Sequence, residues 1–177
     1  GDVAAIGGYY LEDEIAGSFT RFEDFTVRPL NVSHGPVSGT ILHNPDDEVV
    51  AAEGADIDFA DGVIEATLFN FDLAAEGSWS HGLVVRNSSF NTFHTVFATS
   101  SGHWYHILSK GDVTNRQVLR EEFSSAVQTG SKASNHLRLI TLGASAWLFI
   151  NGEFVGELDF SGLDESGEVW VIGNYFE

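Results

Sequence analysis

The sequence predicts an all-β sandwich or barrel, and three observations carry that reading. From Ser38 to the C-terminus, short apolar or alternating runs follow one another, each cut off by Gly, Asn, Asp or Ser. Regular short strands punctuated in this way mark sandwiches and barrels. Asn151-Gly152 joins two such runs, and this dipeptide readily supplies the two positive-φ residues of a type I′ hairpin turn. A single segment competes for a helix.

In chain order the expected strands are residues 38–43, 49–53, 63–71, 82–87, 92–99, 103–110, 117–123, 136–142, 146–150, 154–159 and 168–172. The pair 146–150 and 154–159 is the hairpin around Asn151-Gly152. A second hairpin is expected at Thr99-Ser-Ser-Gly-His103, which joins two runs rich in aromatic and β-branched residues. Residues 115–128 read either as a strand or as a helix, since Asn115 suits an N-cap and Val118, Leu119, Phe123 and Val127 have partly helical spacing.

The chain has 177 residues, enough for one compact domain that buries a core without covalent staples. No Cys is present, which excludes disulfides, thiolate metal sites and a cysteine nucleophile. Eight Lys plus Arg against 26 Asp plus Glu give a net charge of −18. That charge repels a nucleic-acid backbone and an anionic membrane surface, so no nucleic-acid partner is expected. No membrane insertion is expected either: the longest charge-free stretch, 87–109, is studded with Asn, Ser, Thr and His, unlike a spanning helix. The start lacks a basic and apolar leader, so any signal peptide is already gone or the chain is an excised domain. Scarce Lys, absent Cys and many acids point to an extracellular or cell-surface protein.

Two regions carry a resemblance. Gly77-Ser-Trp-Ser-His-Gly-Leu-Val-Val-Arg-Asn87, Asn91-Thr-Phe-His-Thr-Val-Phe97 and Ser100-Ser-Gly-His-Trp-Tyr105 resemble bacterial members of the concanavalin A-like lectin/glucanase superfamily. Asn135-His-Leu-Arg-Leu-Ile-Thr-Leu-Gly143, followed by Trp147-Leu-Phe-Ile-Asn-Gly-Glu-Phe-Val-Gly-Glu157, is similar to the penultimate hairpin of laminin G-like modules. The resemblance implies a jelly-roll sandwich of two curved antiparallel sheets, often an accessory module of secreted or surface proteins. It spans residues 38–177. Residues 1–37 carry no such marker and would supply an edge strand, a cap or a linker.

The superfamily contains glycosidases, so paired acids were sought. A retaining glycosidase needs two carboxyl groups about 5 Å apart, which one strand delivers as acids at i and i+2 or i+4. The resemblance implies Glu-x-Asp-x-x-Glu for the sandwich glucanases of the superfamily. Glu53-Gly-Ala-Asp56-Ile-Asp58 lacks an acid two before its Asp, and Glu157-Leu-Asp159-Phe-Ser-Gly162 lacks the final one. No catalytic residue is therefore nominated. Gly-x-Ser-x-Gly, the phosphate-binding loop and His-Glu-x-x-His are also absent.

Seven histidines are present. His103 and His106 fall on opposite faces of a strand, whereas His94 and His106 share a face if Thr99 opposes His103. Calcium suits the chain better than zinc, because the resemblance implies modules that often hold it. The densest oxygen donors are Asn44-Pro-Asp-Asp-Glu48, with Asp46 and Asp47, and Asp56-Ile-Asp-Phe-Ala-Asp61, with Asp56 and Asp58. The competing reading of Asp56, Asp58 and Asp61 is a solvated turn.

The expected ligand face consists of Trp79, His81, Arg86, His94, Trp104 and His106. An aromatic surface beside hydrogen-bonding groups suits a sugar, whose C–H faces stack on rings while its hydroxyls need directional partners. Phe93, Thr95 and Phe97 are assigned to the core, which turns His94, Val96 and Ala98 outward. With Thr99 opposite His103, the favoured register, Trp104 and His106 line a groove, and Trp104→Ala is expected to abolish binding at little cost in stability; with Ser100 opposite His103, Tyr105 takes the outward place and Trp104 is core. Arg86, if inward, needs a carboxylate or ligand partner. The expected function is a non-catalytic binding or adhesion module for carbohydrate or a cell-surface glycan. The alternatives are an enzyme similar to keto-disaccharide hydrolases and a structural subunit that self-associates through edge strands.

Overall fold

A computed structural model describes residues 18–29, 34–43, 51–70, 79–89, 92–111, 115–130, 132–163 and 165–173. The strands are β1 (Ser18–Pro29), β2 (His34–His43), β3 (Ala51–Phe59), β4 (Gly62–Asn70), β5 (Ser80–Ser89) and β6 (Thr92–Thr99). They continue with β7 (His103–Ser109), β8 (Arg116–Phe123), β9 (Ser134–Leu142), β10 (Ser145–Ile150), β11 (Glu153–Asp159) and β12 (Gly167–Gly173). Among the described residues there is no helix.

Two six-stranded sheets result, in the orders β11-β10-β9-β4-β1-β2 and β3-β12-β5-β6-β7-β8, here called A and B. All strand pairings among the described residues are antiparallel. The fold is thus a sandwich of two antiparallel sheets, the jelly roll that the resemblance implied.

The core follows from strict alternation. In β9, Asn135, Leu137, Leu139 and Thr141 are buried while Arg138 and Leu142 are exposed. In β10, Ala146, Leu148 and Ile150 are buried. These meet Leu83, Val85, Val96, Ala98, Trp104, Val169 and Val171 of sheet B in one apolar cluster. Each fully buried Leu, Ile or Val contributes roughly 1.5–3 kcal/mol. Asn151 (φ 52) and Gly152 (φ 84) form the expected hairpin turn between β10 and β11. Asn151 also serves the tertiary structure: its side chain accepts from the His136 amide at 2.8 Å and donates to the Ala126 carbonyl at 2.7 Å.

Three expectations need amendment. Residues 18–29 and 34–37, for which the sequence offered an edge strand, a cap or a linker, are built into sheet A: β1 pairs with both β2 and β4, and the boundary drawn before Ser38 falls inside β2. Residues 115–128 hold the edge strand β8 and then a turn, because pairing with β7 satisfies the backbone that a helix would otherwise satisfy internally. Asp56 and Asp58 belong to β3 instead of a turn, although Asp56 sits at a positive φ of 50°.

Candidate functional site

The residues nominated from the sequence lie inside the sandwich. Trp79, His81, Arg86, His94, Trp104 and His106 are all buried, none more than 4% exposed. The β6–β7 register is the one favoured from sequence, with Ala98 opposite Trp104 and Val96 opposite His106. The facing is the reverse of that expected. Val96 and Ala98 enter the inter-sheet core with Trp104. Phe93 and Phe97 lie on the outer face of sheet B, in a second cluster with Val84, Ile107 and Ile172. Both faces of β6 carry apolar residues and both are buried, so alternation alone had no contrast to read.

The same-face pairing of His94 and His106 is real, with Nδ1 of the first 2.9 Å from Nε2 of the second. Phe160 stacks on both rings. Burial pushes His94 down to about 3 and His106 to about 4. His81, stacked on Trp79, is likewise held near 3 by burial, and its Nε2 faces the Asn135 amide at 3.4 Å. Trp104 lies beneath the Arg120 guanidinium, 5.1 Å from its ring, while Arg120 Nη1 donates to the Glu157 carbonyl. These side chains join the sheets and expose no surface to a ligand.

Arg86 points inward because β5 bulges there. Two steps along β12, Glu168 to Trp170, face three steps of β5, Asn87 to Val84, and Arg86 takes up a φ of 58°. Its guanidinium donates to the carbonyls of Ala60 (3.0 Å), Leu163 (3.1 Å) and Gly143 (2.7 Å), and it meets Asp61 Oδ1 at 3.3 Å. The carboxylate partner that an inward Arg demanded is therefore Asp61, but carbonyls dominate. Arg86 ties three loops together and is not available as a ligand contact.

The same bulge places an open site on the outer face of sheet B. Asp58 of β3, Glu168 of β12 and Asn87 of β5 stand opposite one another in one row across three neighbouring strands. The next row holds Gly54, Trp170 and Val84. A Cβ on Gly54 would come within 3.1 Å of the Trp170 indole, so glycine there lets the ring settle over β3. Trp170 is partly buried, and its Nε1 donates to Glu168 Oε2 at 2.9 Å. The two rows border a groove of about 400 Å³ lined by Asp58, Asn87, Ser88, Ser166, Glu168 and Trp170. The Asn87 Oδ1 atom is buried and accepts no hydrogen bond.

The strand arrangement recurs in solved proteins. A β-glucanase of Bacillus licheniformis superposes with a TM-score of 0.52 at 10% identity, over 96% of this chain and 86% of that one. Sheep galectin-11, in complex with glycerol, gives 0.51 at 8% identity over 70% and 89%. A native glycosidic hydrolase gives 0.51 at 12% identity over 88% of this chain and 63% of that chain. The chain has the concanavalin A-like jelly-roll fold. At these identities the likeness speaks for the fold alone. No protein-family model and no curated protein sequence matches this chain.

Within this jelly roll, the groove-lining residues other than Asp58 were not nominated from sequence. One signal was present: Glu168 and Trp170 are two apart in a strand and so share a face. Of the calcium candidates, Asp46 and Asp47 lie outside the described residues, and Asp56 is exposed on β3. Asp58 lines the groove, and among the described residues no three His or acidic side chains converge as a metal cluster.

Proposed function

We propose that this protein is a non-catalytic carbohydrate-binding module that acts outside the cytoplasm and takes its ligand in the groove beside Trp170. The observation that carries this reading is the Trp170 ring seated on Gly54 and bordered by Glu168, Asp58, Asn87, Ser88 and Ser166. A flat apolar surface ringed by hydrogen-bonding groups matches a pyranose, which offers both an apolar face and hydroxyls. The absence of Cys and the scarcity of Lys support the extracellular placement. Binding to a glycan array, with calcium and with chelator, tests the reading alongside a reducing-sugar assay. The expected result is glycan binding that Trp170→Ala removes, with no release of reducing ends. Failure to bind any glycan overturns it.

A second reading, glycoside hydrolysis, is favoured by one feature: Asp58 and Glu168 are direct cross-strand partners and both carboxylates line the groove. Retaining glycosidases use carboxyl groups about 5 Å apart. Against it, Glu168 already accepts from the Trp170 indole. Reducing-end release lost in both Asp58→Asn and Glu168→Gln would establish the hydrolase instead.

A further inference from the structure

The groove has a one-sided chemistry. Asp58 and Glu168 contribute carboxylates to its wall, and carboxylates are hydrogen-bond acceptors. Among the described residues no Lys, Arg or His lines it, and the hydroxyls of Ser88 and Ser166 complete the wall. Trp170 adds the negative face of its indole, which attracts cations. Around this groove the chain carries a net charge of −18. A uronate or sulfated sugar would bring an anion against two carboxylates. A neutral sugar would meet more acceptors than its hydroxyls need. An ammonium group brings several donors and a compensating charge.

We infer that the ligand of this groove is a cationic amino sugar, a glycan with free amine groups, held by its ammonium between Asp58 and Glu168 with its ring against Trp170. This rests on the carbohydrate reading above and narrows it. The partner class follows from the acceptor-rich wall, and the sugar from the adjoining indole.

The test is titration calorimetry at about pH 6, where the amine is protonated. The probes are a glucosamine oligomer, the N-acetylglucosamine oligomer of the same length, a neutral glucan, polygalacturonate and spermidine. The expected result is that the glucosamine oligomer binds at least about tenfold more tightly than the others. Glu168→Gln and Asp58→Asn should each weaken it roughly tenfold or more, and Trp170→Ala should weaken it more than it weakens spermidine. Equal binding of neutral and amino sugars, or tighter binding of polygalacturonate, overturns the inference and leaves the carbohydrate reading standing. Binding of the amino oligomer that survives the Asp58, Glu168 and Trp170 substitutions reports attraction to the overall negative charge and also overturns it. If no sugar of any kind binds, the carbohydrate reading fails and this inference with it. Tm of each variant, measured beside the titrations, separates lost contacts from lost folding.

Discussion

Nδ1 of His94 lies 2.9 Å from Nε2 of His106, inside the sandwich and beneath the ring of Phe160. At that distance one ring donates its N–H and the other accepts, so one proton lies between the two neutral imidazoles. A second proton would place an uncompensated charge in an apolar core, and Arg86 and Lys110 disfavour it further. The opposing pull comes from Asp159, which is itself exposed.

This arrangement predicts acid sensitivity. Burial lowers His81, His94 and His106 from the ordinary 6.5 to about 3, 3 and 4. Between those values the unfolded chain binds more protons than the folded one, so stability falls as pH falls below about 6.5. From pH 6.5 to about 5, ordinary carboxylates stay ionised and these histidines dominate the change, on the order of 1–2 kcal/mol for each. Chemical denaturation at a series of pH values should show this slope, and His81→Gln should make it shallower. A flat profile from pH 7 to 5 contradicts the buried, neutral assignment.

Trp104 is 1% exposed and clamped under Arg120, so its truncation empties part of the core. Trp104→Ala should cost about 3–5 kcal/mol in urea unfolding. This reverses the expectation drawn from sequence, in which the residue was a ligand contact with little structural role. A loss below about 1 kcal/mol would return Trp104 to the surface.

Arg86→Lys should destabilise by at least about 2 kcal/mol, because one ammonium cannot reach the carbonyls of Ala60, Leu163 and Gly143 together. Asp61→Asn should cost less, since Asp61 is about one-third exposed and the amide keeps an oxygen for the Gly143 amide and for Arg86. Urea unfolding of both variants checks the order, and a larger loss for Asp61→Asn would put the ion pair above the carbonyl clamp.

With a net charge of −18, self-repulsion opposes the compact state, and NaCl should raise Tm by screening it. A calcium site among the acidic residues would add stability by mass action beyond the same ionic strength of NaCl. Thermal scans in matched salts separate the two; equal shifts leave screening alone.

The all-β class, the Asn151-Gly152 hairpin and the Thr99–His103 register were legible in sequence because each depends on neighbours along the chain: alternation, positive-φ turn residues and short connections. Strand β1 escaped notice. Only its partners in sheet A give that stretch its place, with β2 on one side and β4 on the other.

What the sequence by itself determined is the set of strands after Ser38 and the parity that brings His94 and His106 together. Tertiary structure alone decided which parity faces inward. On β6 both sets are apolar enough to be buried, and the second sheet takes the side bearing His94, Val96 and Ala98. The groove is also a tertiary product. Asp58, Asn87 and Glu168 are far apart in the chain, and the antiparallel order β3-β12-β5 with the bulge at Arg86 sets them in one row. The physical reason is that strand alternation says which residues share a face, whereas sheet pairing and sheet packing settle which strands are neighbours and which face meets solvent.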